Sequence, residues 1–132
     1  MCLFCKISNK DIPAKIVYED EHVMAFLDIS QTTKGHTLVI PKIHTNNFLE
    51  CPPEYLNHVA IASSMISNHL MQKLNAKGMN VITNIEKAAG QTIMHYHVHL
   101  IPRYDETDGI TLNFKENKNI DLDELLLNIK ID

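Results

Sequence analysis

The chain has 132 residues, of which 45% are hydrophobic and 21% charged, and its formal net charge is −4. We expect one globular domain over residues 1–132, long enough to bury its apolar side chains without disulfides. The scattered lysines and the acidic balance argue against a nucleic-acid partner. No segment approaches the ~20 apolar residues of a membrane span, and the first residues lack the apolar core of a signal peptide, so we expect a soluble, cytoplasmic protein.

The three cysteines are an odd number, which argues against a secreted disulfide framework. Cys2 and Cys5 form a C-x-x-C pair, whose spacing lets both thiolates bind one metal ion or form a redox pair. This pair alone is a weak signal for zinc, and His44 and His95 are candidates for further ligands. Two unligated thiols at a mobile N-terminus are the alternative. Cys51 is left without a role.

The first half of the chain predicts three strands. Ile16–Glu19 and Val23–Leu27 flank a polar turn and predict a hairpin. Asp28 follows directly, where its carboxylate could accept from a sugar diol or from a turn. Residues 37–40 predict a buried strand that ends at Pro41, because proline has no amide hydrogen to donate to a sheet.

A long amphipathic helix is predicted next. The prolines at 52–53 open a pattern of apolar residues at steps of three and four over positions 56–74, and Gly78 follows. Proline at the start and glycine after the end bracket a helix of about twenty residues. His58 and His69 lie inside this helix and are interpreted as surface residues without a function.

The second half of the chain completes an α+β order. Residues 79–83 predict a strand that ends at Asn84, and Asp121 is a candidate N-cap for a short C-terminal helix. We therefore predict a largely antiparallel five-stranded sheet with the long helix on one face. The other face is then free for a site.

The most informative segment is residues 95–99, His-Tyr-His-Val-His, in which three histidines alternate with apolar residues. In a strand, successive side chains point to opposite faces, so the apolar residues can face a core while the histidines line a solvated face. Histidine suits acid–base, nucleophilic and metal chemistry near neutral pH. A hydrogen-bonded polar strand without chemistry is the alternative.

This segment, continued by Leu100, resembles the signature of the histidine-triad (HIT) superfamily. The resemblance extends to residues 90–92, residues 35–42 with His44, residues 26–30 and residues 2–7, and covers roughly residues 2–104. It implies a HIT-like fold of the Hint-like or bacterial type and a homodimer. The apolar helix over positions 56–74 could supply the dimer interface.

The resemblance implies a nucleotidyl hydrolase or transferase that acts on the α-phosphate of purine nucleotides through a covalent nucleotidyl-histidine. His97 would be the nucleophile, and its other ring nitrogen would donate to a backbone carbonyl. His99 and His36 would donate to the phosphoryl oxygens, helped by Gln91, and Thr92 would donate to the leaving group.

The resemblance also implies a nucleotide pocket and a structural metal. Asp28 would bind ribose hydroxyls and Asn84 would lie near the phosphate and sugar, with Ile29 and Phe4 as walls for the base. In some members a C-x-x-C pair and two histidines bind structural zinc, and this chain supplies the set Cys2, Cys5, His44 and His95. No catalytic metal is expected.

Three other functions stay open. The protein could instead be a hydrolase of the same family that cleaves dinucleoside polyphosphates rather than phosphoramidates or AMP conjugates. A metal-dependent hydrolase could use His97, His99 and His36 as catalytic zinc ligands. A non-catalytic module could bind nucleotide in the same pocket.

Overall fold

Five antiparallel strands form the sheet of the protein, in a computed structural model that describes residues 2–132, so that Met1 lies outside the described residues. The strands are β1 (Ile16–Glu19), β2 (Val23–Leu27), β3 (Thr37–Pro41), β4 (Gly78–Ile82) and β5 (Val98–Arg103), in the spatial order β1-β2-β3-β5-β4. The helices are α1 (Leu3–Ser8), α2 (Pro53–Leu74) and α3 (Leu122–Ile129), with one 3-10 turn at Lys87–Ala89. The predicted α+β class and five-stranded sheet are confirmed.

The pairing of β3 with β5 brings two distant histidines together. Leu38 lies opposite His99 and Thr37 opposite Leu100 in this antiparallel pair. His36 directly precedes β3, so the register places it beside His99 although the two are 63 positions apart in the sequence. The spacing of these two histidines in the sequence does not predict that they are neighbours.

The sheet is covered on both faces. On one face, α2 packs against β2, β3 and β5 through Val59, Ile66 and Leu70. On the other, α1 contributes Phe4 and Ile7 to a second apolar cluster, completed by the β2 and β3 residues Met24, Phe26, Leu38 and Ile40. The second face is therefore only partly free: α1 covers part of it, and the remaining part borders a cavity. Because β2 and β3 are apolar at nearly every position, both of their faces need a cover.

Helix α1 was not predicted from the sequence. It begins after Cys2, whose Sγ accepts a hydrogen bond from the Cys5 amide at 3.2 Å and so caps the helix. Its buried residues Phe4 and Ile7 are three positions apart, which places them on one side of the helix. Six residues are too few for a periodic pattern to stand out, and packing on the sheet stabilises this helix.

The histidine strand begins three residues later than predicted. Strand β5 begins at Val98, and the Tyr96 amide donates to the Thr45 carbonyl at 2.7 Å instead of to a neighbouring strand. The alternation nevertheless persists, because Tyr96, Val98 and Leu100 all pack in the core beneath α2. On the histidine side, His95 and His97 are buried, at 0% and 7% exposed, and His99 is partly exposed.

The ends of the two longer helices differ in how well they were predicted. Helix α2 ends at Leu74, followed by Asn75 in the left-handed conformation at φ 54°, whereas the expected terminator Gly78 begins β4. Asp121 caps α3 as predicted and accepts from the amides of Asp123 and Glu124. Among residues 2–132, no helix is long and apolar enough to cross a membrane.

Candidate active site and metal centre

A cavity of about 510 Å³ lies between α1, the end of β2 and the histidine segment. Six residues that the sequence singled out line it: Phe4, Asp28, Ile29, Thr92, His97 and His99. The wall also includes Ile7, Ile12 and Lys15, which sequence reasoning missed because α1 and the following loop were not recognised. An apolar cleft with a few convergent polar groups is the usual form of a small-molecule site.

His97 is held in one orientation and one tautomer. Its Nδ1 lies 2.7 Å from the carbonyl oxygen of His95, and a carbonyl only accepts, so Nδ1 carries the proton and Nε2 keeps its lone pair. The Phe4 ring meets the His97 ring edge-on at a centroid distance of 5.1 Å. Burial lowers the pKa of His97. The backbone-carbonyl contact expected for a nucleophilic histidine is present.

His99 belongs to a short chain of hydrogen bonds. The Thr32 amide donates to Nδ1 of His36 at 3.3 Å, so neutral His36 carries its proton on Nε2. That Nε2 lies 2.9 Å from Nδ1 of His99, which accepts, and His99 then carries its own proton on Nε2. Burial and the neighbouring His97 and His36 lower the pKa of His99 to about 4. His99 is therefore a neutral donor in the cavity wall.

His36 is a buried residue that contacts His99 and does not line the cavity. It is 4% exposed, and burial lowers its pKa, which Asp28 partly offsets. Its Nε2 is 3.6 Å from Oδ2 of Asp28, while Oδ1 of Asp28 accepts from the Ser30 amide at 2.8 Å. Asp28 thus closes a turn and also borders the cavity, so both sequence interpretations describe part of its environment.

Gln91 and Asn84 were also predicted to bind the nucleotide, but they lie outside the cavity wall. In the described part of the chain, the cavity wall includes neither of them. The Gln91 amide is 3% exposed and serves the backbone: Oε1 accepts from the Glu86 amide at 2.8 Å, and Nε2 donates to the carbonyls of Asn46 and Ile93 at 2.6 and 3.1 Å. Asn84 lies beside Gly90 in the same loop.

A second cluster brings together the four residues predicted as metal ligands. Cys2 Sγ lies 3.6 Å from His44 Nδ1 and 3.4 Å from His95 Nδ1. Cys5 Sγ lies 3.2 and 3.5 Å from the same two nitrogens. Tetrahedral zinc, with bonds of about 2.3 Å to sulfur and 2.0–2.1 Å to nitrogen, places such atoms about 3.6 Å apart. The four side chains could therefore hold one zinc ion.

The hydrogen bonds around this cluster leave the ligand nitrogens free. His95 Nε2 donates to the Pro41 carbonyl at 3.0 Å and His44 Nε2 donates to Oδ1 of Asn46 at 3.2 Å, so Nδ1 of each ring keeps its lone pair. Burial, with Cys2 acting in the same direction, raises the pKa of the Cys5 thiol to about 11. A bound cation acts in the opposite direction and favours the thiolate.

The five-stranded antiparallel sheet, with His97 and His99 lining a cavity on one of its faces, is the arrangement of the histidine-triad class of proteins. A family model described as HIT domain matches residues 9–106, most of the chain, and the protein belongs to this family. It is 50% identical to an uncharacterised HIT-like protein of Methanocaldococcus jannaschii over 131 residues, 98% of this chain and 99% of the relative. A crystal structure of a HIT family protein from Bacillus anthracis superposes with a TM-score of 0.89 at 47% identity, covering 96% of this chain and 90% of that one.

Other relatives carry more specific names. Adenylylsulfatase HINT3 of Arabidopsis thaliana is 36% identical over 102 residues, 77% of this chain and 52% of that protein. A histidine triad nucleotide-binding protein from Sulfolobus tokodaii has a TM-score of 0.77 at 40% identity, covering 96% of this chain and 87% of that one. A Zn-bound histidine triad family protein from Mycobacterium smegmatis has the same TM-score at 39% identity, with coverage of 89% and 84%.

Proposed function

We propose that the protein is a nucleotidyl hydrolase or transferase that acts on the α-phosphate of purine nucleotide conjugates, such as adenosine phosphoramidates. The observation that carries the proposal is the tautomer of His97, whose Nδ1 donates to the His95 carbonyl at 2.7 Å and whose Nε2 keeps a lone pair at the cavity. Kinship with a nucleotide-binding protein and with an adenylylsulfatase supports this substrate class.

The reaction has two displacements. Nε2 of His97 attacks the α-phosphorus and forms a phosphorus–nitrogen bond while the bond to the leaving group breaks, which produces a covalent nucleotidyl-histidine. Water then attacks the same phosphorus and gives up a proton to the solvent, while the phosphorus–nitrogen bond breaks, the nucleoside monophosphate is released and Nε2 recovers its electron pair. Nε2–H of His99 donates to a phosphoryl oxygen as charge develops there. Thr92, exposed at the cavity, donates to the leaving group.

The cavity wall supports a nucleoside beside the nucleophile. Phe4 and Ile29 provide apolar surface for the base, and the Asp28 carboxylate accepts from the ribose hydroxyls. His36 is a positioning residue, because it fixes the tautomer of His99 through a contact of 2.9 Å. Asn84 is assigned to the phosphate and sugar from the family resemblance, and Gln91 to the support of the loop that carries Thr92.

Zinc at Cys2, Cys5, His44 and His95 is proposed as a structural ion. Four protein ligands close its coordination shell, so it leaves no position for a substrate. The ion would connect α1 to the end of β3 and to the histidine segment. Phe4 lies between Cys2 and Cys5 in the chain, and its ring packs against the His97 ring at a centroid distance of 5.1 Å. The ion would therefore hold this part of the cavity wall in place.

A homodimer through α2 and β4 is proposed as the assembly. Strand β4 is the last in the sheet order, and Val81 on it is 58% exposed. Beside it lies a cavity of about 590 Å³, lined by residues of both elements. Ser63 and Ser67 on α2 carry buried hydroxyls with no hydrogen-bond partner in the described chain. An edge strand next to an apolar helix face suits pairing with a second copy.

Turnover of adenosine 5′-phosphoramidate by the wild-type chain and by His97→Ala tests the proposal, with His69→Ala, exposed on α2, as the control. We expect the wild type and the control to turn over the substrate, and the turnover of His97→Ala to be at least about 10³-fold lower. Mass spectrometry after rapid quenching should find a nucleotidyl adduct on His97 of the wild type. Nucleotide binding without turnover of this substrate or of a dinucleoside polyphosphate would instead identify a binding module. Activity that needs added zinc in a chain that stays folded would identify a metal-dependent hydrolase.

A further inference from the structure

A second group of metal-ligating side chains lies away from the cavity and the cysteine cluster. His22 belongs to the turn between β1 and β2, and Glu54 and His58 lie in the first two turns of α2. The ligating atoms of these three side chains are all within 4.8 Å of one another, and His22 Nε2 is 3.5 Å from Oε1 of Glu54. We propose that His22, Glu54 and His58 bind a zinc ion, the second of the chain.

The turn and the helix hold the three residues in position. Glu54 and His58 are four positions apart, the spacing that puts two side chains on one helix face. The His22 amide donates to Oδ1 of Asp20 at 2.7 Å, and the His22 carbonyl accepts from the Lys42 amide at 2.8 Å. Because both sides of the His22 backbone are bonded, the third ligand is presented from a fixed turn.

The donor set suits a transition-metal ion. Two imidazoles and one carboxylate are a common zinc set, and a water molecule completes the fourth position. Zinc ligands at about 2.0–2.2 Å lie about 3.4 Å apart, and the pair of His22 and Glu54 already has this separation at 3.5 Å. This set has no thiolate, which distinguishes it from the cysteine cluster.

Metal binding requires one imidazole to turn. The rings of His22 and His58 are stacked with centroids 3.7 Å apart and an interplanar angle of 6°, so their lone pairs run parallel instead of converging. The Glu54 side chain is 68% exposed and the His58 side chain is partly exposed, so both can adjust without disturbing the core. The stack keeps the two rings next to each other before the ion arrives.

Zinc stoichiometry of the full-length, untagged chain tests the proposal. After equilibrium dialysis against a zinc buffer, metal analysis should find two ions per wild-type chain, one at the cysteine cluster and one at the new site. His22→Ala and His58→Ala should each bind one, and His69→Ala, on the same helix, should bind two. Cys5→Ser should lose the other ion and keep the one at His22, Glu54 and His58.

Two results of the metal analysis would overturn the second zinc site. One ion in the wild type that disappears in Cys5→Ser, or two ions in a folded His58→Ala, would overturn the second site. If a histidine variant fails to fold, Glu54→Gln replaces the carboxylate without changing its size, and at least about tenfold weaker binding of the second ion is expected. Unchanged affinity there overturns the proposal. The readout is binding, so it does not depend on the proposed activity.

Discussion

The backbone carbonyl of His95 accepts from Nδ1 of His97 at 2.7 Å, while the His95 side chain lies 3.4 Å from Cys2 and 3.5 Å from Cys5. One residue therefore contributes its backbone to the candidate nucleophile and its imidazole to the candidate metal centre. Any change that moves His95 should alter both the metal content and the orientation of His97. The candidate active site and the candidate metal centre are therefore connected through His95, although their chemistry is separate.

Replacing Cys5 with serine should remove the ion from the cysteine cluster and loosen α1. We expect the midpoint of thermal unfolding to fall by about 4 °C or more, equivalent to at least about 1 kcal/mol, and the turnover of adenosine phosphoramidate to fall with it. Calorimetry measures the midpoint, metal analysis measures the bound ion, and a steady-state assay measures the turnover. Chelator should lower the midpoint of the wild type by more than that of Cys5→Ser, because the variant has already lost the ion of the cysteine cluster and keeps only the one at His22, Glu54 and His58. A variant that keeps wild-type thermal stability would contradict the structural role.

Replacing His36 with alanine should lower kcat by about 10–100-fold with little change in KM, because His99 loses the partner that fixes its tautomer. Steady-state kinetics of His36→Ala, His99→Ala and the double variant measure this effect. Since His36 acts through His99, the double variant should be no worse than His99→Ala by more than a small factor. Multiplicative losses would show that His36 contacts the substrate independently.

The pH dependence of stability should reflect His99. Its pKa is about 4 in the folded chain and about 6.5 in the unfolded chain, so the unfolded state binds more protons between these values. The free energy of unfolding should therefore be highest above about pH 6.5 and fall as the pH drops toward 4. Urea unfolding at a series of pH values should show a shallower decline for His99→Gln, with His69→Gln as the exposed control. Identical slopes in all three chains would exclude this contribution.

Replacing Gln91 with alanine should mainly reduce stability. The substitution leaves the Glu86 amide and the carbonyls of Asn46 and Ile93 without their side-chain partner. We expect a loss of about 1–3 kcal/mol in the free energy of unfolding, measured by denaturant titration. A stable variant with a large loss of kcat would instead support direct contact of Gln91 with the phosphoryl group.

Replacing Val81 with aspartate should weaken the proposed dimer. Val81 lies on the edge strand β4, and a charge there opposes the pairing of two copies. Sedimentation velocity should find dimers for the wild type and monomers for Val81→Asp. Leu127→Asp, an equally drastic change on exposed α3, should stay dimeric. A monomeric wild type would remove the basis of the prediction.

Local sequence patterns determined most of the elements. The hairpin, β3, β4 and α2 follow from apolar periodicity bounded by turn residues and prolines, and the cap at Asp121 follows from its side-chain chemistry. Helix α1 did not, because a six-residue amphipathic segment has too few positions for its period to be read. The terminator of α2 was wrong, because Asn75 also tolerates the left-handed conformation and lies closer to the last turn.

The sequence by itself determined that the histidines alternate and that cysteine and histidine donors of the right type are present. Only the tertiary structure decided which atoms meet: His36 reaches His99 through the β3–β5 register, and His58 meets His22 across a helix and a turn. It also buried His95 and His97, which the alternation had placed on a solvated face, because α1 covers part of that face of the apolar sheet. Spacing fixes the face on which a side chain lies, whereas contacts between distant segments depend on the packing that buries those faces.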